Sequence, residues 1–351
     1  MKTHRLITER NYEISEDQNL LTQIIQGSAS STDVYSPGSY WLPKTKNAVY
    51  QLRKFGLSNF RSFENSAITS FGDNPTINVV NTLSNKSKDK FKKFLVSVKP
   101  FKNLFESQVS LTRQHFLEGL EALNAYYAIH PRVSELLGKY KINFDTTLGG
   151  CETFLTYGDH RISHIYLKLL DTLDYMDSSV NLSKVRSVIE IGGGFGVNVD
   201  MQIQLFPNIR KFLYVDIAPN LYVGTQYLKT KYGASVVDFQ MSKDLTEIKF
   251  KSNDSLEIFC ILPMQIEKVN SKFDLFHNAH SFVEMPRESV VNYASQVRKL
   301  LNENGRIYLV TYDGYNHLTI SPEELSQLVS PSLSISKKPT LRQGRFDYHL
   351  S

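Results

Sequence analysis

Cysteine is nearly absent. Cys151 and Cys260 are the two in 351 residues, too few and too far apart for a disulfide framework or a cysteine-ligated metal site. The expected setting is therefore a reducing cytoplasm. Long apolar runs are missing too. No stretch approaches the roughly 20 residues that span a bilayer, so no transmembrane segment is expected. The opening MKTHRLITERNYE lacks the apolar core of a signal peptide. Neither sign of charge dominates, with 40 Lys and Arg against 35 Asp and Glu, a net of +5. That balance is no nucleic-acid footprint, although it admits an anionic small substrate such as a nucleotide-linked sugar. There is one tryptophan, Trp41, and no internal repeat or low-complexity tract. What the chain has in quantity is apolar and aromatic residues, 41% and 12%. This is enough for sizeable cores and suits an aromatic-lined or carbohydrate pocket.

The most informative stretch is Ser187 to Gly196, SVIEIGGGFG. Val188, Ile189 and Ile191 form a short β-branched run that reads as a buried strand. A glycine turn follows, then a helical pattern from Asn198 to Phe206 closed by Pro207. Lys211 to Val215 reads as the next strand. Asp216 stands at its end, roughly 20 residues past Gly196, where a carboxylate meets an adenosine ribose. The spacing is E-x-G-x-G-x-G (Glu190, Gly192, Gly194, Gly196) and not G-x-G-x-x-G. The third dinucleotide glycine falls on Val197 or Val199, and a branched side chain there hinders a pyrophosphate at the helix N-terminus. Glu190 beside the turn disfavours phosphate and suits an amine or sulfonium. Together these residues favour S-adenosylmethionine over a nicotinamide dinucleotide.

The organisation reads as a mainly helical N-terminal region, 1–150, followed by an α/β domain, 151–351. A helical pattern surrounds Leu20, Leu21, Ile24 and Ile25. A second carries Val49, Leu52 and Phe55, preceded by Tyr40-Trp41, an aromatic pair placed either over a ligand or as a staple onto the main domain. Residues 86–102 interleave lysines with Phe91, Phe94 and Phe101, a basic amphipathic helix that most simply is a solvated face. Two further helices run from Leu104 to Leu137. TTLGGCET (146–153) marks the boundary. A helix over Arg161–Met176 follows, with Tyr157, His160 and Arg161 at its start and Arg161 in reach of a cofactor carboxylate through a forked ion pair. Further strands are expected at Leu256–Leu262, Phe273–His277 and Arg306–Thr311, with a helix at Glu288–Asn302 closed by Asn304-Gly305. SVVDF (235–239) is an unplaced extra strand.

In such a sheet the chemistry sits at the carboxyl ends of the strands. Those ends offer Pro263, Met264 and Gln265 for an adenine edge and face. They also offer FHNAHSFVEM, with His277, Asn278, His280 and Glu284, and then Tyr312, Asp313, Tyr315, Asn316 and His317. Histidine is the natural base near neutral pH, so His280 is the candidate general base, with His277 or Glu284 orienting it or the acceptor hydroxyl. A metal is not expected, because the carboxylates that hard ions prefer are few here.

IEIGGGFG, LFPNIRKFLYVDIAPNLYVGTQYL and FHNAHSFVEM together resemble the sugar O-methyltransferase family, a branch of the class I S-adenosylmethionine-dependent methyltransferases. SYW and GLSNFR also look like that family's N-terminal region. The resemblance implies an α/β fold, a Rossmann-like class I methyltransferase domain with a mostly parallel seven-stranded sheet. It also implies S-adenosylmethionine as donor and a sugar or glycan hydroxyl as acceptor, in polysaccharide or glycoside biosynthesis. It places the cofactor on Glu190, Gly192, Gly194, Gly196 and Asp216, with Gly193, Ile217 and Asn278 alongside. The alternative is a non-catalytic cofactor-binding or scaffold subunit of a glycan-biosynthesis assembly.

Overall fold

The computed structural model describes residues 13–31, 33–61, 117–140, 148–158, 160–313, 319–341 and 344–351. The Lys/Phe stretch 86–102 and Tyr315, Asn316 and His317 lie outside these.

Four helical segments precede the first strand in the described residues: α1 (Gln18–Ala29), α2 (Leu42–Phe55), α3 (117–128) and α4 (Pro131–Lys139). A small antiparallel hairpin follows, β1 (Phe154–Tyr157) with β2 (His160–Ser163), and leads into α5 (His164–Val180). The expected helix from Arg161 therefore begins three residues later. Ser163 is its N-cap, its hydroxyl accepting the Tyr166 N–H, and Arg161 belongs to the hairpin instead.

The main sheet comprises β3 (Ser187–Ile191), β4 (Lys211–Val215), β5 (Val236–Val237), β6 (Glu257–Ile261), β7 (Phe273–Ala279), β8 (Leu301–Thr311), β9 (Ile335–Pro339) and β10 (Phe346–Leu350). Their spatial order is β5-β6-β4-β3-β7-β8-β10-β9. All neighbours from β5 to β8 pair in parallel, and β10 runs antiparallel between β8 and β9. The chain is thus an α/β protein with a Rossmann-like, mostly parallel sheet whose order reverses between β3 and β7. Eight strands stand where seven were expected. The SVVDF segment supplies the two-residue edge strand β5, cut short because the next residue, Asp238, caps the short helix α8 (Phe239–Ser242).

The strand residues alternate between two cores, as a period of two demands. Val188, Phe212 and Tyr214 face the first core, which also takes Leu20, Leu21 and Ile24 of α1, Leu52 of α2, and Leu170 and Leu173 of α5. Ile189, Ile191, Leu213 and Val215 face the second, with Val290, Val297 and Leu325 from α9 (Arg287–Leu300) and α10 (Pro322–Val329). A strand covered on both faces reads as a continuous apolar run, which is why SVIEI was legible. The Asn-Gly pair expected to close α9 does something else. The helix ends at Leu300 and β8 starts at once. Residues 302–305 form an irregularity between Leu301, paired with Phe273, and Arg306, paired with Leu275.

Beneath the glycine turn, α6 (Val197–Leu205) is fixed by one buried acid. Asp200 accepts hydrogen bonds from the hydroxyls of Tyr166 (2.7 Å), Tyr227 (3.0 Å) and Tyr232 (2.5 Å), and from Lys231 Nζ (2.7 Å). These donors come from α5 and from α7 (Asn220–Tyr232). Burial pushes the Asp200 carboxyl up, but Lys231 and the tyrosine hydroxyls outweigh it and hold the group below its usual range. The helix that carries the turn is thereby anchored to both neighbours.

Candidate functional site

The turn after β3 takes its shape from three glycines. Gly192, Gly194 and Gly196 have φ of +76°, +63° and +82°, a region that side chains disfavour. Space is equally restricted at Gly192, where a Cβ would lie 2.2 Å from Ser281 Oγ. Ser281 is held by its neighbours: Asn278 Nδ2 donates to its oxygen at 2.5 Å, and its hydroxyl donates to the Ile191 carbonyl at 3.2 Å. Gly196 lies deeper, as the N-cap of α6 against Leu228.

Asp216 stands beside this turn at the end of β4. Its Oδ2 accepts the Gly194 N–H at 2.8 Å and its Oδ1 the Ile217 N–H at 2.7 Å. Burial pushes its carboxyl up to about 7 despite these two donors, and Glu190 adds to the rise. Glu190 itself is buried. Its Oε1 accepts from Asn198 Nδ2 at 2.8 Å, and the same amide nitrogen donates to His277 Nδ1 at 2.7 Å. Glu190 Oε2, Asn198 Oδ1 and His277 Nε2 are buried without a hydrogen-bond partner in this ligand-free chain. Buried polar atoms are normally satisfied by protein or water, and two of these three belong to Glu190 and Asn198, which line the cleft.

These residues form one side of a cleft of about 720 Å³. Glu190, Gly192, Gly193, Gly194, Asp216 and Ile217 line it, as do His280, Glu284, Tyr312 and Asp313 from the ends of β7 and β8. Tyr40, Trp41 and Lys44 come from the N-terminal region, and Lys168, Arg345 and Asp347 from α5 and the final hairpin. Trp41 Nε1 donates to Glu284 Oε2 at 3.0 Å, and the Tyr312 hydroxyl donates to Glu284 Oε1 at 2.8 Å. Lys44 Nζ sits 3.5 Å from the Tyr40 ring centroid and 4.7 Å from that of Trp41. Burial lowers the Lys44 pKa, and Glu284 partly restores it. The aromatic pair therefore both lines the cleft and fastens the N-terminal region to a strand end.

His280 has φ of +64°, unusual for a residue with a side chain. Its N–H donates to the Val310 carbonyl at 2.7 Å, its ring stacks on Tyr312 at 5.8 Å between centroids, and its Nε2 lies 3.2 Å from Asp347 Oδ2. Burial raises the Asp347 carboxyl, but the charge of His280 and its hydrogen bond outweigh that and hold it well below the usual carboxylate range.

Besides the deeper Gly196, five residues expected at the site are placed elsewhere. His277 is wholly buried in β7, inside the network with Asn198 and Glu190. Asn278 turns its amide to the Ile191 carbonyl and Ser281 and so braces the turn from behind. Gln265 is buried, its Oε1 capping the Leu262 N–H and its Nε2 reaching Ser242. Met264 packs against the apolar cores, which leaves Pro263 as that segment's contribution to the cleft. Arg161 lies over the Phe154 ring, 3.6 Å from its centroid, and does not line the cleft. His277, Asn278 and Gln265 are buried by the strand or by local capping, whereas Arg161 stays exposed on the hairpin. Several contributors, Lys44, Lys168 and Arg345 among them, were not foreseen from the sequence, and two of them matter most. Asn198 lies within the helical run, with no signal to separate it from core. Asp347 sits in FDYHL, whose period-two alternation was the one available sign of a strand.

Among the described residues no group of three or more His, Cys, Asp or Glu is arranged to hold a metal. No described helix is long and apolar enough to cross a membrane. The residues present do fit a nucleoside sulfonium. Gly192–Gly194 face the cleft without Cβ atoms, Asp216 keeps acceptor capacity beyond its two N–H partners, and the buried Glu190 carries an unpartnered oxygen.

No family model matches this chain, and no curated protein is similar to it in sequence. Among solved structures it is similar to a mitomycin 7-O-methyltransferase, with 12% identity over 52% of this chain and 56% of that one, at a TM-score of 0.35. It is similar to human N-acetylserotonin methyltransferase in complex with SAM, with 13% identity over 52% and 55% and a TM-score of 0.33. It is also similar to the O-methyltransferase of a trans-AT PKS multienzyme of Brevibacillus brevis in complex with S-adenosyl-L-homocysteine, with 17% identity over 47% and 52% and a TM-score of 0.33. The chain spans little more than half the length of each of these three proteins. The likenesses are distant, and the α/β architecture is defined by the strand order itself.

Proposed function

We propose that this protein is an S-adenosylmethionine-dependent O-methyltransferase that methylates a sugar hydroxyl of a glycan or nucleotide-sugar. The observation that carries the reading is the shared cleft. One set of its residues, the turn at Gly192–Gly194 with Asp216, suits a nucleoside. Another set, His280 with Asp347, suits removal of a proton.

The lining favours a sulfonium over a dinucleotide. Val197, the first residue of α6, lines the cleft where a pyrophosphate would have to approach, and Glu190 places negative charge close by. In this reading Asp216 takes the ribose hydroxyls and Glu190 faces the positive end of the cofactor. When bound, the cofactor supplies a methyl group already activated for displacement. The remaining tasks belong to the chain: aligning the acceptor, worth about 7–11 kcal/mol, and removing its proton, worth about 10²–10⁴-fold. His280 is the base. Glu284, engaged by Trp41 and Tyr312, holds the N-terminal region over the acceptor side as a lid. The flat faces of Tyr40 and Trp41 suit the C–H face of a sugar ring. The choice of a sugar acceptor follows the motif resemblance together with these aromatics.

Calorimetry with S-adenosylhomocysteine tests the cofactor, and binding in the micromolar range is expected. No heat of binding at millimolar ligand sinks the reading. A methyl-transfer screen over nucleotide-sugars and glycans then tests the acceptor, with small phenols and amines as competitors. Turnover on those alone removes the sugar.

A further inference from the structure

We propose that Asp347 is the positioning residue for His280, accepting the Nε2–H so that Nδ1 is left as the ring atom that takes the acceptor's proton. The two side chains are 3.2 Å apart and both line the cleft, with 20% and 12% of their side-chain surface exposed. They are brought together by strand register. Antiparallel pairing sets Tyr348 against Thr311 and His349 against Val310, so Asp347 projects just past the end of β8. The same Val310 accepts the His280 N–H through its carbonyl. One strand end thus fixes the backbones of both partners.

Three further features support a built arrangement. His280 adopts a left-handed backbone, and strained conformations of this kind persist where surrounding structure holds them, often at functional sites. Its ring is stacked on Tyr312, which restrains the imidazole plane. Asp347 stays ionised despite its burial, helped by His280 and by Lys168. A carboxylate that remains charged can accept the N–H and stabilise the imidazolium that forms.

His280 Nδ1 accepts the hydroxyl proton while the new O–C bond forms and the C–S bond breaks with its electron pair left on sulfur. The imidazolium, neutralised by Asp347, then releases that proton to solvent. This kinetic role rests on the methyl-transfer reading, whereas the tautomer does not.

The test uses the full-length protein labelled with ¹⁵N in its histidine rings, with His280→Gln assigning the signal by its loss. The wild type is expected to show His280 protonated at Nε2. Asp347→Asn presents an amide N–H to Nε2 and is expected to switch the ring to the Nδ1–H form. A wild-type ring protonated at Nδ1, or one unchanged by Asp347→Asn, overturns the proposal. The wild-type spectrum decides it even if the variant fails to fold. Where methyl transfer is measurable, Asp347→Asn is expected to lower kcat about 10²-fold or more, with KM for the donor and S-adenosylhomocysteine affinity within about threefold of wild type. Unchanged kcat alongside the switched tautomer also overturns it. Failure of S-adenosylhomocysteine to bind the wild type sinks the methyltransferase reading and leaves the tautomer result standing.

Discussion

The Asp216 carboxylate and the Gly194 amide are 2.8 Å apart, so the acid at the end of β4 is tied to the turn at the end of β3. Loop backbone and strand-end acid form a single unit. The acid is costly to keep charged, because burial lifts its carboxyl to about 7.

That cost has a defined sign. The folded-state value lies above the unfolded one of 3.8, so the native state binds the extra proton between about pH 4 and pH 7. Stability falls as pH rises through that window, by on the order of 4 kcal/mol for this group. Asp216→Asn removes the titrating charge but sets an amide NH2 against one of the two backbone N–H donors. It is therefore expected to abolish this pH dependence of stability while weakening S-adenosylhomocysteine at least tenfold. Affinity of the wild type is expected to fall as pH drops below 7, because a protonated acid is a poorer acceptor for two hydroxyls. Calorimetry at pH 6 and pH 8 reads this directly, and a pH-independent affinity contradicts it.

Gly192→Ala meets two obstacles: a positive φ, and Ser281 Oγ at 2.2 Å from the new methyl. Backbone strain and overpacking together are expected to cost about 2–5 kcal/mol in urea unfolding. Adding Ser281→Gly removes the clash and is expected to recover only the overpacking share. Full recovery in the double variant means the backbone carries no strain.

Trp41 is the sole tryptophan and lines the cleft, so intrinsic fluorescence reports on the site. Emission is expected to change on saturation with S-adenosylhomocysteine. Trp41→Phe keeps an aromatic face but loses the bond to Glu284, a hydrogen bond to a charged group worth about 1.5–3 kcal/mol. The variant is expected to unfold at lower urea and to raise KM for the acceptor more than for the donor.

His277 and His280 differ by three residues and by role. His277→Ala takes one of two acceptors from the buried Asn198 amide and opens a cavity in β7, so stability is expected to fall by about 1–3 kcal/mol or more. His280→Ala unpairs Asp347 but is expected to lose less stability than His277→Ala, because the side chains of His280 and Asp347 both reach the cleft. It is expected to leave nucleoside binding near wild type and to lower turnover about 10²–10⁴-fold. Parallel melting curves and single-turnover assays separate the two. Equal stability losses for both variants contradict the assignment.

Parts of this site were legible in the chain and others were not. The turn from Gly192 to Gly196 and the acid at Asp216 follow from local rules: a buried strand, positions that need positive φ, and a second strand at a fixed interval. His280 and Glu284 were identified as strand-end residues, and both line the cleft. His277 and Asn278 belong to the same stretch yet are buried, because β7 is covered on both faces and neighbouring side chains on opposite sides are both enclosed, which sequence spacing alone does not reveal. Gln265 looked suited to an adenine edge, but it caps its own turn. Short-range competition for a backbone N–H decided its orientation.

The sequence by itself determined the five parallel strands β3, β4, β6, β7 and β8 and the glycine turn, since these depend on periodicity and on backbone freedom within a few residues, whereas β9 and β10 were not read from it. Tertiary structure alone decided the pairs that define the cleft. Trp41 meets Glu284 across 243 positions, and Asp347 reaches His280 from the last strand of the described sheet. Such partners are chosen by strand register and helix docking, which sum many weak contacts over the whole chain, so no local pattern encodes them.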